Sequence, residues 1–263
     1  YGGVCQSSEE SVSMQTLPVP GGTTTASLMS YGYSPYLADE SPYLMGAYSV
    51  VEALSALVAA GGTLDECYLT CQEYFRRLDQ NPEAWGEVVA ALLGLFEAQR
   101  AFGTPSIGGK DSMSGTYEDI NVPPTLVSFA ITTLDISEAI SACLPKEDGY
   151  LYYLPHQAKD GGRPDYAALN RHFQTYENLA KAGKILAGNA VRLGGVWPTV
   201  AKMVLGNQVG LKFTDAGVRA LGDRSLGGLI FMTKEKLTDD ELVLIADVEA
   251  EADVQVGNMT FTH

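Results

Sequence analysis

Glycine, lysine and small polar residues stand together in one short segment of the chain. The segment reads Ile107-Gly108-Gly109-Lys110-Asp111-Ser112-Met113-Ser114-Gly115-Thr116. Adjacent glycines let a backbone come close to a ligand and present its N–H groups. Lys110 supplies a point charge for a phosphate or a carboxylate. The polar residues that follow it add hydrogen-bond acceptors and donors, so the residue types are those of an anion-binding loop.

This segment does not have the pattern of a Walker A loop. Lys110 follows a second glycine, and Asp111 stands where that motif requires Ser or Thr. On its chemistry alone the segment fits either a plain turn or a ligand-binding loop, and both interpretations stay open at this point.

The charge balance limits the partners of the protein. Its 263 residues include 17 Lys and Arg but 32 Asp and Glu, which gives a net charge of −15. An acidic surface repels phosphate backbones and anionic membranes, so we expect neither nucleic acid nor a membrane as a partner. No apolar run reaches the roughly 18 residues that span a bilayer, and no signal peptide is visible. The chain begins with Tyr1 rather than Met, which favours a part of a longer protein.

The thiol and imidazole side chains show no metal-binding or catalytic pattern. The cysteines form no CxxC pair and no Cys/His cluster; they are Cys5, Cys67, Cys71 and Cys143. We predict reduced, structural thiols in a cytoplasmic protein, with Cys67 and Cys71 one turn apart on a helix. The histidines have no partner pattern and are predicted to be surface or structural residues; they are His156, His172 and His263.

Cap and turn residues divide the first half of the chain into strands and helices. Strands are predicted over 15–20, 23–30 and 124–134. Ser41-Pro42 opens a helix that Gly61-Gly62 ends. The capping-box pattern of 63–66 predicts a second helix. A third helix is predicted over 82–102, with its apolar side formed by Trp85, Val89, Leu92, Leu93 and Phe96.

Polar residues around 145–149 predict a boundary between two domains. We divide the chain into an irregular lead-in or linker over 1–15, an N-terminal domain over 16–145 and a C-terminal domain over 146–263. Strands are expected in the second domain over 150–154, 227–232 and 253–256, with helices over 166–186, 195–205 and 238–246. Both domains are therefore of the α+β class.

The whole segment 107–116 resembles the signature of the phosphoribosylformylglycinamidine synthase family, in the large form that also carries a glutaminase domain. Nearby segments resemble the same family: Thr24-Thr25-Ala26-Ser27-Leu28, Val51-Glu52-Ala53-Leu54 and Ala98-Gln99-Arg100-Ala101-Phe102-Gly103-Thr104-Pro105. The resemblance covers most of 16–135 and, more weakly, 150–260. It implies an aminoimidazole ribonucleotide synthetase-like unit, the second of two in the synthase core. Its first domain would supply half of a dimeric β-barrel, and its second would be an α/β sandwich.

The resemblance also implies a reaction of purine synthesis. In that family ATP activates the formyl amide oxygen of formylglycinamide ribonucleotide, and ammonia from glutamine then replaces it. The active site lies between the two units, so the resemblance implies a substrate-binding loop with Lys110 or the serines near the substrate phosphate. The loop residues are Gly108, Gly109, Lys110, Asp111, Ser112 and Ser114. We assign no catalytic residue to this chain, none of its cysteines matches the glutaminase nucleophile, and we expect it to be inactive alone.

The magnesium-binding positions of the family depart from the pattern here. The carboxylate expected before the 24–28 strand falls at Pro20, and the asparagine expected one turn after Glu52 falls at Ala56. The acidic stretch expected before Gly194-Gly195 reads Asn189-Ala190-Val191-Arg192-Leu193. Magnesium needs hard oxygen ligands, so Glu52 alone makes no metal site, and Arg192 disfavours a cation. We therefore expect this unit to bind neither ATP nor magnesium, although the whole enzyme needs both; Glu52 is favoured as a solvated or hydrogen-bonded helix residue.

Three functions remain open from the sequence. The chain is a substrate-shaping part of the synthase, a structural module that keeps the barrel, or another superfamily member such as aminoimidazole ribonucleotide synthetase, selenophosphate synthetase or thiamine-monophosphate kinase. Members of the last group normally keep their acidic metal ligands, which disfavours it.

Assembly is also predicted from the resemblance. An isolated first domain would expose half of a barrel, so we predict a two-fold homodimer. The other expected partners are formylglycinamide ribonucleotide and the remaining synthase and glutaminase domains. The tyrosines at 31, 33, 36 and 43 can line a groove, although packing or an interface is favoured for them.

Overall fold

The computed structural model describes residues 2–251 and 253–262, so the expectation for His263 lies outside the described residues. The chain folds into two main sheets with helices packed on them. The first half contains β1 (Val12–Thr16), β2 (Thr25–Gly32), α1 (Pro35–Glu40), α2 (Pro42–Ala59), β3 (Tyr68–Tyr74), α3 (Pro82–Phe102), β4 (Ser106–Lys110), β5 (Thr116–Tyr117), β6 (Ile120–Asn121) and β7 (Thr125–Asp135). The first strand begins at Val12, inside the segment predicted as an irregular lead-in.

The first sheet has five strands in the order β1-β2-β7-β3-β4. Neighbouring strands are antiparallel except β3 and β4, which are parallel and are joined by α3 as the crossover. The helix α2 is buried around nearly its whole circumference, against β2, β7 and α3. One face of the sheet is therefore covered by helices.

Capping chemistry fixes the two long helices where the sequence predicts them. The Ser41 hydroxyl accepts a hydrogen bond from the Leu44 backbone N–H at 3.3 Å, and Pro42 occupies the first turn of α2. The Asn81 side chain caps α3 in the same way. Gly103 ends α3 with a φ of +71°, a left-handed conformation that favours glycine.

The orientation predicted for α3 is wrong. Its large apolar residues point outward and are 39 to 57% exposed, whereas its buried side is made of smaller residues together with Leu95 and Phe102. The cause is a close crossing with α2, because a Cβ added at Gly94 would lie 2.0 Å from the Tyr43 carbonyl oxygen. Such a crossing leaves no room for the larger side chains.

The helix predicted from the capping-box pattern at 63–66 does not form. Glu66 has a φ of +57°, which breaks a helix, and the chain enters the strand β3 at Tyr68. Cys67 therefore precedes a strand and Cys71 lies in it. The alternation of Leu69 and Cys71 with outward polar and aromatic residues is typical of a half-buried strand.

The second half forms a seven-stranded sheet in the order β14-β13-β10-β12-β8-β11-β9. Its elements are β8 (Gly149–Leu154), α4 (Tyr166–Lys181), β9 (Ile185–Ala190), α5 (Val196–Leu205), β10 (Gly210–Phe213), α6 (Asp215–Ala220), β11 (Leu229–Thr233), β12 (Val243–Glu249), β13 (Val254–Val256) and β14 (Met259–Phe261). Two predictions are wrong here. The helix of 166–186 ends at Lys181 because Gly183 has a φ of +66°. No helix forms over 238–246, where 238–242 have no regular structure and 243–246 belong to β12.

The two sheets share their largest hydrophobic core. Buried side chains of α2 and β3 pack in one cluster with those of α4, β8 and β11. The Tyr176 hydroxyl on α4 donates a hydrogen bond of 2.7 Å to the Ala59 carbonyl at the end of α2. The change of sheet falls between Asp135 and Gly149, and the division into separate domains stays a prediction.

Among the described residues, one helix is long and apolar enough, by length and composition, to cross a membrane. This helix is α2, and 83% of it is buried inside the protein. Because the core helix of a water-soluble protein passes the same test, the burial assigns α2 to the core.

Candidate functional site

The predicted substrate loop lies at one edge of the first sheet. Gly108 and Gly109 belong to the edge strand β4, opposite Thr70 and Cys71 of β3. Every residue of β4 is exposed, including Lys110 at its end. One side of this strand therefore has its backbone groups free for a ligand.

The two glycines have different structural roles. A Cβ at Gly109 would lie 2.7 Å from the Cys71 carbonyl oxygen, so packing against β3 requires glycine there. A Cβ at Gly108 would meet only the Thr70 hydroxyl, at 4.0 Å, and Gly108 does not have a positive φ. Neither packing nor backbone conformation in this chain accounts for a glycine at 108.

The polar residues after β4 are held by a small hydrogen-bond network. The hydroxyls of Ser112 and Ser114 lie 2.8 Å apart, so one hydroxyl hydrogen is used between them and the other is free to donate. The Ser112 backbone N–H donates to the Glu73 carbonyl at 3.1 Å. Burial and the nearby Asp111 carboxylate raise the pKa of Glu73. The loop thus combines one exposed lysine with a hydroxyl pair and two acids.

A second candidate site is a cleft of about 350 Å³ between the two sheets. Polar and aromatic side chains line it, among them Glu9, Ser11, Tyr31, Tyr33, Glu52, Asn189, Arg192, Thr199 and Lys202. Glu52 comes from α2, and Arg192 from the turn between β9 and α5. The cleft therefore contains Glu52, a position that the family resemblance relates to magnesium, and Arg192 from the stretch where it expects acids.

Glu52 and Arg192 form an ion pair in the wall of this cleft. Arg192 Nε lies 3.6 Å from Glu52 Oε2, and only 1% of the Glu52 side chain is exposed. The Arg192 guanidinium also donates to the Tyr31 carbonyl at 2.9 Å and stacks over the Tyr31 ring, with Cζ 4.3 Å from its centroid. Of the two alternatives for Glu52, the solvated residue is therefore wrong; Glu52 is a buried helix residue that is ion-paired and hydrogen-bonded to Arg192.

Burial dominates the ionisation of Glu52. Desolvation raises its pKa from 4.5 to about 7, although the Arg192 charge and hydrogen bond act in the opposite direction. Its second oxygen, Oε1, is buried and has no hydrogen-bond partner among the described residues. Such a group is held close to the balance between its charged and neutral forms at neutral pH.

The other positions that correspond to the family's magnesium-binding residues supply no further acid next to the Glu52–Arg192 pair. Pro20 lies in an exposed turn, and Ala56 is buried in α2. The Asn189 side-chain oxygen is occupied by the Ser11 hydroxyl at 2.9 Å and by the Ala190 backbone N–H. Within residues 2–251 and 253–262, no group of three or more His, Cys, Asp or Glu residues is placed to hold a metal ion.

The loop and the cleft are separate sites. Tyr31 of the cleft lies on β2, and Gly108 of the loop lies on β4, with β7 and β3 between them. Three strand spacings correspond to roughly 14 Å. The residue pattern pointed to the loop, Glu52 and Arg192. Of the tyrosines that the sequence offered for a groove, Tyr31 and Tyr33 line the cleft, but the sequence contained no signal for Ser11 or for the stacking of Arg192 on Tyr31.

The remaining candidate side chains are structural. His156 is buried between the Leu226 carbonyl and the Asp165 backbone N–H, and burial lowers the pKa of both His156 and His172. All four cysteines are free; Cys5 is exposed and the other three are buried. Burial raises the pKa of Cys67 to about 11, which makes it unreactive.

The chain is similar in sequence to known proteins. No family model matches the chain. The chain is 26% identical over 213 residues to the phosphoribosylformylglycinamidine synthase subunit PurL of Granulibacter bethesdensis, covering 74% of this chain and 29% of the relative. It is 27% identical over 224 residues to the same subunit of Acidiphilium cryptum, covering 75% and 30%. The chain thus spans about 30% of the length of these relatives.

Solved structures share the fold at lower identity. PurL of T. maritima complexed with FGAR superposes with a TM-score of 0.73 at 11% identity, over 99% of this chain and 47% of that one. T. maritima PurL complexed with AMPPCP gives 0.68 at 12% identity, over 91% and 38%. Thiamine monophosphate kinase of Aquifex aeolicus gives 0.65 at 13% identity, over 91% and 90%.

Proposed function

We propose that this chain, a PurL-like synthetase domain, is part of a phosphoribosylformylglycinamidine synthase. Its 108–114 loop would bind the substrate of that enzyme. The ligand would be formylglycinamide ribonucleotide, bound together with the remaining synthase and glutaminase domains. The whole enzyme would be a ligase that uses ATP and magnesium. This unit would contribute no catalytic residue and would be inactive alone, and free cysteines are in keeping with a cytoplasmic location.

The open surroundings of Gly108 carry this proposal. A glycine that neither packing nor backbone conformation requires leaves the exposed edge of β4 open to a ligand. Lys110 would neutralise a phosphate of the substrate, and the free hydroxyl hydrogen of the Ser112–Ser114 pair would donate to it. Asp111 and Glu73 would accept from substrate hydroxyls rather than approach the phosphate, because like charges repel there.

Isothermal titration with formylglycinamide ribonucleotide tests this role of the loop. We expect binding that does not depend on Mg-ATP and that weakens by about 1–3 kcal/mol in Lys110→Ala, the cost of losing a charged hydrogen bond. Lys236→Ala removes another exposed lysine far along the chain and is the matched control. Equal affinities of the parent and the Lys110→Ala variant would contradict the substrate role.

We further propose that the cleft of this unit binds neither ATP nor magnesium. A guanidinium already supplies the positive charge next to Glu52, at the place where a bound cation would have to lie. A second cation there would be repelled by Arg192, and a single carboxylate does not satisfy the coordination of magnesium. The nucleotide of the whole enzyme would therefore be bound by another unit.

A scaffold role accompanies the substrate role and is supported by the uncovered face of the first sheet. Apolar side chains form rows across three strands on this face, because Ile131 pairs in register with both Met29 and Tyr68. Met29, Tyr68 and Tyr74 are 40 to 41% exposed there. We propose that this face is half of a β-barrel that a second copy completes as a two-fold homodimer.

The proposed barrel contact can be tested by light scattering of Tyr68→Asp. Tyr68→Asp places a charge on the open face without disturbing the helical side of the sheet, and light scattering should report half of the parent's mass. Retention of the parent's mass by this variant would contradict a dimer through the sheet.

A further inference from the structure

An unbroken apolar face runs along the outer side of α3, on the helix-covered side of the first sheet. We name it the α3 seam, and it consists of Trp85, Val89, Leu92, Leu93 and Phe96, all exposed. The acids that flank it point to partners in this chain: Glu87 binds Arg76 through both carboxylate oxygens, and Glu97 accepts from the Tyr43 hydroxyl. The seam is therefore uncharged along three turns of an exposed helix.

The spacing of the seam is that of a helix-packing surface. Trp85, Val89, Leu92 and Phe96 follow one another at intervals of four, three and four residues, which is the alternation of a two-helix seam. This order of intervals is the same when it is read backwards. A second copy of α3, running antiparallel about a two-fold axis between Val89 and Leu92, would place Trp85 level with Phe96 of that copy and Val89 level with its Leu92.

Gly86 gives independent support for a helix packed on the α3 seam. It lies on the exposed surface of α3, where glycine costs roughly 1 kcal/mol relative to alanine. Nothing in the chain lies within 4 Å of a Cβ built on Gly86, so the fold does not require this glycine. Pro82, Trp85, Gly86 and Val89 have the spacing of the four residues that surround one packed side chain of a facing helix. In the antiparallel arrangement the side chain at this level is Phe96 of the second copy, and the missing Cβ gives room for its ring.

The ends of the seam carry opposite charges. The Trp85 indole N–H donates to the Asp79 carbonyl at 3.3 Å, which holds exposed Asp79 beside the start of the seam. Arg100 lies at the other end, with its guanidinium 5.8 Å from the centre of the Phe96 ring. An antiparallel copy brings Arg100 to the level of residue 81, next to Asp79, at both ends of the interface. The antiparallel helix dipoles favour the same arrangement.

We infer that the α3 seam is a self-association surface and that its occupant is α3 of a second copy of this chain, packed antiparallel about a two-fold axis. This interface is independent of the substrate loop. It is also distinct from the proposed barrel contact, which uses the opposite face of the sheet. If the seam and the barrel contact both form, a closed assembly is a tetramer. If only the seam forms, the chain is a dimer.

Light scattering on the eluting protein tests the seam directly. Leu93→Asp buries a charge in the interface and should weaken the association at least about tenfold. Val4→Asp places the same charge on an exposed residue far from α3 and should have no effect. Gly86→Ala should weaken the association and yet raise the melting temperature of the dissociated chain. A residue that only supported the fold would not move these two readouts in opposite directions.

A charge exchange identifies the occupant as a second copy. Asp79→Lys and Arg100→Glu should each weaken self-association, because two like charges then meet at both ends. Mixing the two variants should restore it, because the lysine introduced in one variant then faces the glutamate introduced in the other, and the unchanged Arg100 faces the unchanged Asp79. Glu83→Lys changes an exposed acid in the first turn that points away from the seam, and serves as the control.

Three results would overturn the seam interface. The first is a mass that is unchanged by Leu93→Asp, Gly86→Ala and the charge reversals while Tyr68→Asp halves it, which would leave only the barrel contact. The second is a parent that stays a monomer at every concentration. The third is a mixture of the charge variants that fails to restore association, which would leave the seam for a different protein. None of these results bears on substrate binding by the 108–114 loop.

Discussion

Arg192 lies 3.6 Å from the buried carboxylate of Glu52 and stacks on Tyr31, so one side chain from the turn between β9 and α5 contacts two residues of the first half across the cleft. The guanidinium provides there the positive charge that a bound cation would otherwise supply. It is held by three different contacts, of which one is a backbone carbonyl. The pair therefore joins the two halves of the molecule and lines the cleft.

Removal of the arginine charge should destabilise the fold to a limited extent. Arg192→Met keeps much of the side-chain volume but leaves Glu52 buried without its partner. Loss of a buried ion pair commonly costs several kcal/mol, but here Glu52 can take up a proton, so we expect about 1–3 kcal/mol in urea unfolding. Arg171→Met breaks an exposed pair with Glu241 and should cost less than about 0.5 kcal/mol. Equal effects of the two substitutions would show that the Glu52–Arg192 pair is not structural.

The stability of the protein should carry a pH dependence that belongs to Glu52. Its pKa is raised from 4.5 to about 7 in the folded state, so the folded chain binds the proton more tightly than the unfolded chain does. The stabilisation is complete below pH 4.5 and is lost as the pH rises through about 7. The shift corresponds to about 3 kcal/mol.

Comparison with Glu52→Gln isolates this effect. The free energy of unfolding of the parent, minus that of Glu52→Gln, should fall by about 3 kcal/mol from pH 4.5 to mildly alkaline pH. Other titrating groups are present in both proteins and cancel in the difference. A difference that is flat with pH, or that rises, would contradict the raised pKa.

The cleft should not take up nucleotide. Calorimetric titration of the chain with Mg-ADP is expected to give no binding heat beyond dilution, because Arg192 repels magnesium and no cluster of acids is available within the described residues. The same titration of a PurL-like unit that keeps its acidic ligands is the positive control. Micromolar binding of Mg-ADP to this chain would refute the proposal for the cleft.

Local sequence signals predicted the fold correctly where no tertiary contact opposed them. Ser41, Pro42 and Asn81 determine where helices begin, and Gly103 determines where α3 ends. The orientation of α3 was not predictable from its own sequence, because both of its sides are apolar and only the close crossing at Gly94 decides between them. Tertiary contacts also decide the structure at β12, because its place between two neighbouring strands overrides the helical pattern of 238–246.

The two candidate sites also differ in how far the sequence could predict them. The 108–114 segment was recognisable from its residues because it is continuous in the chain. The Glu52–Arg192 pair joins residues that are far apart in sequence, so the sequence indicated an arginine where acids were expected but not the contact between the two side chains. The role of Tyr31 depends on its carbonyl group as well as its ring, and backbone groups leave no signal in residue types.

The two glycines of β4 offer a test that separates folding from binding. Gly109→Ala should destabilise the protein by about 1–3 kcal/mol, because its Cβ would press on the Cys71 carbonyl oxygen at 2.7 Å. Gly108→Ala should change stability by less than about 0.5 kcal/mol, because its Cβ meets only open space and the Thr70 hydroxyl.

Binding should show the opposite pattern at Gly108. If the substrate approaches the backbone of β4, Gly108→Ala should weaken the affinity for formylglycinamide ribonucleotide about tenfold or more while the melting temperature stays within a degree or two. Thr70→Ser removes one methyl group from the opposite strand and serves as a control that leaves the outer edge of β4 unchanged. Unchanged affinity in Gly108→Ala would mean that no ligand comes close to this glycine, and the loop would then be a turn at the edge of a scaffold.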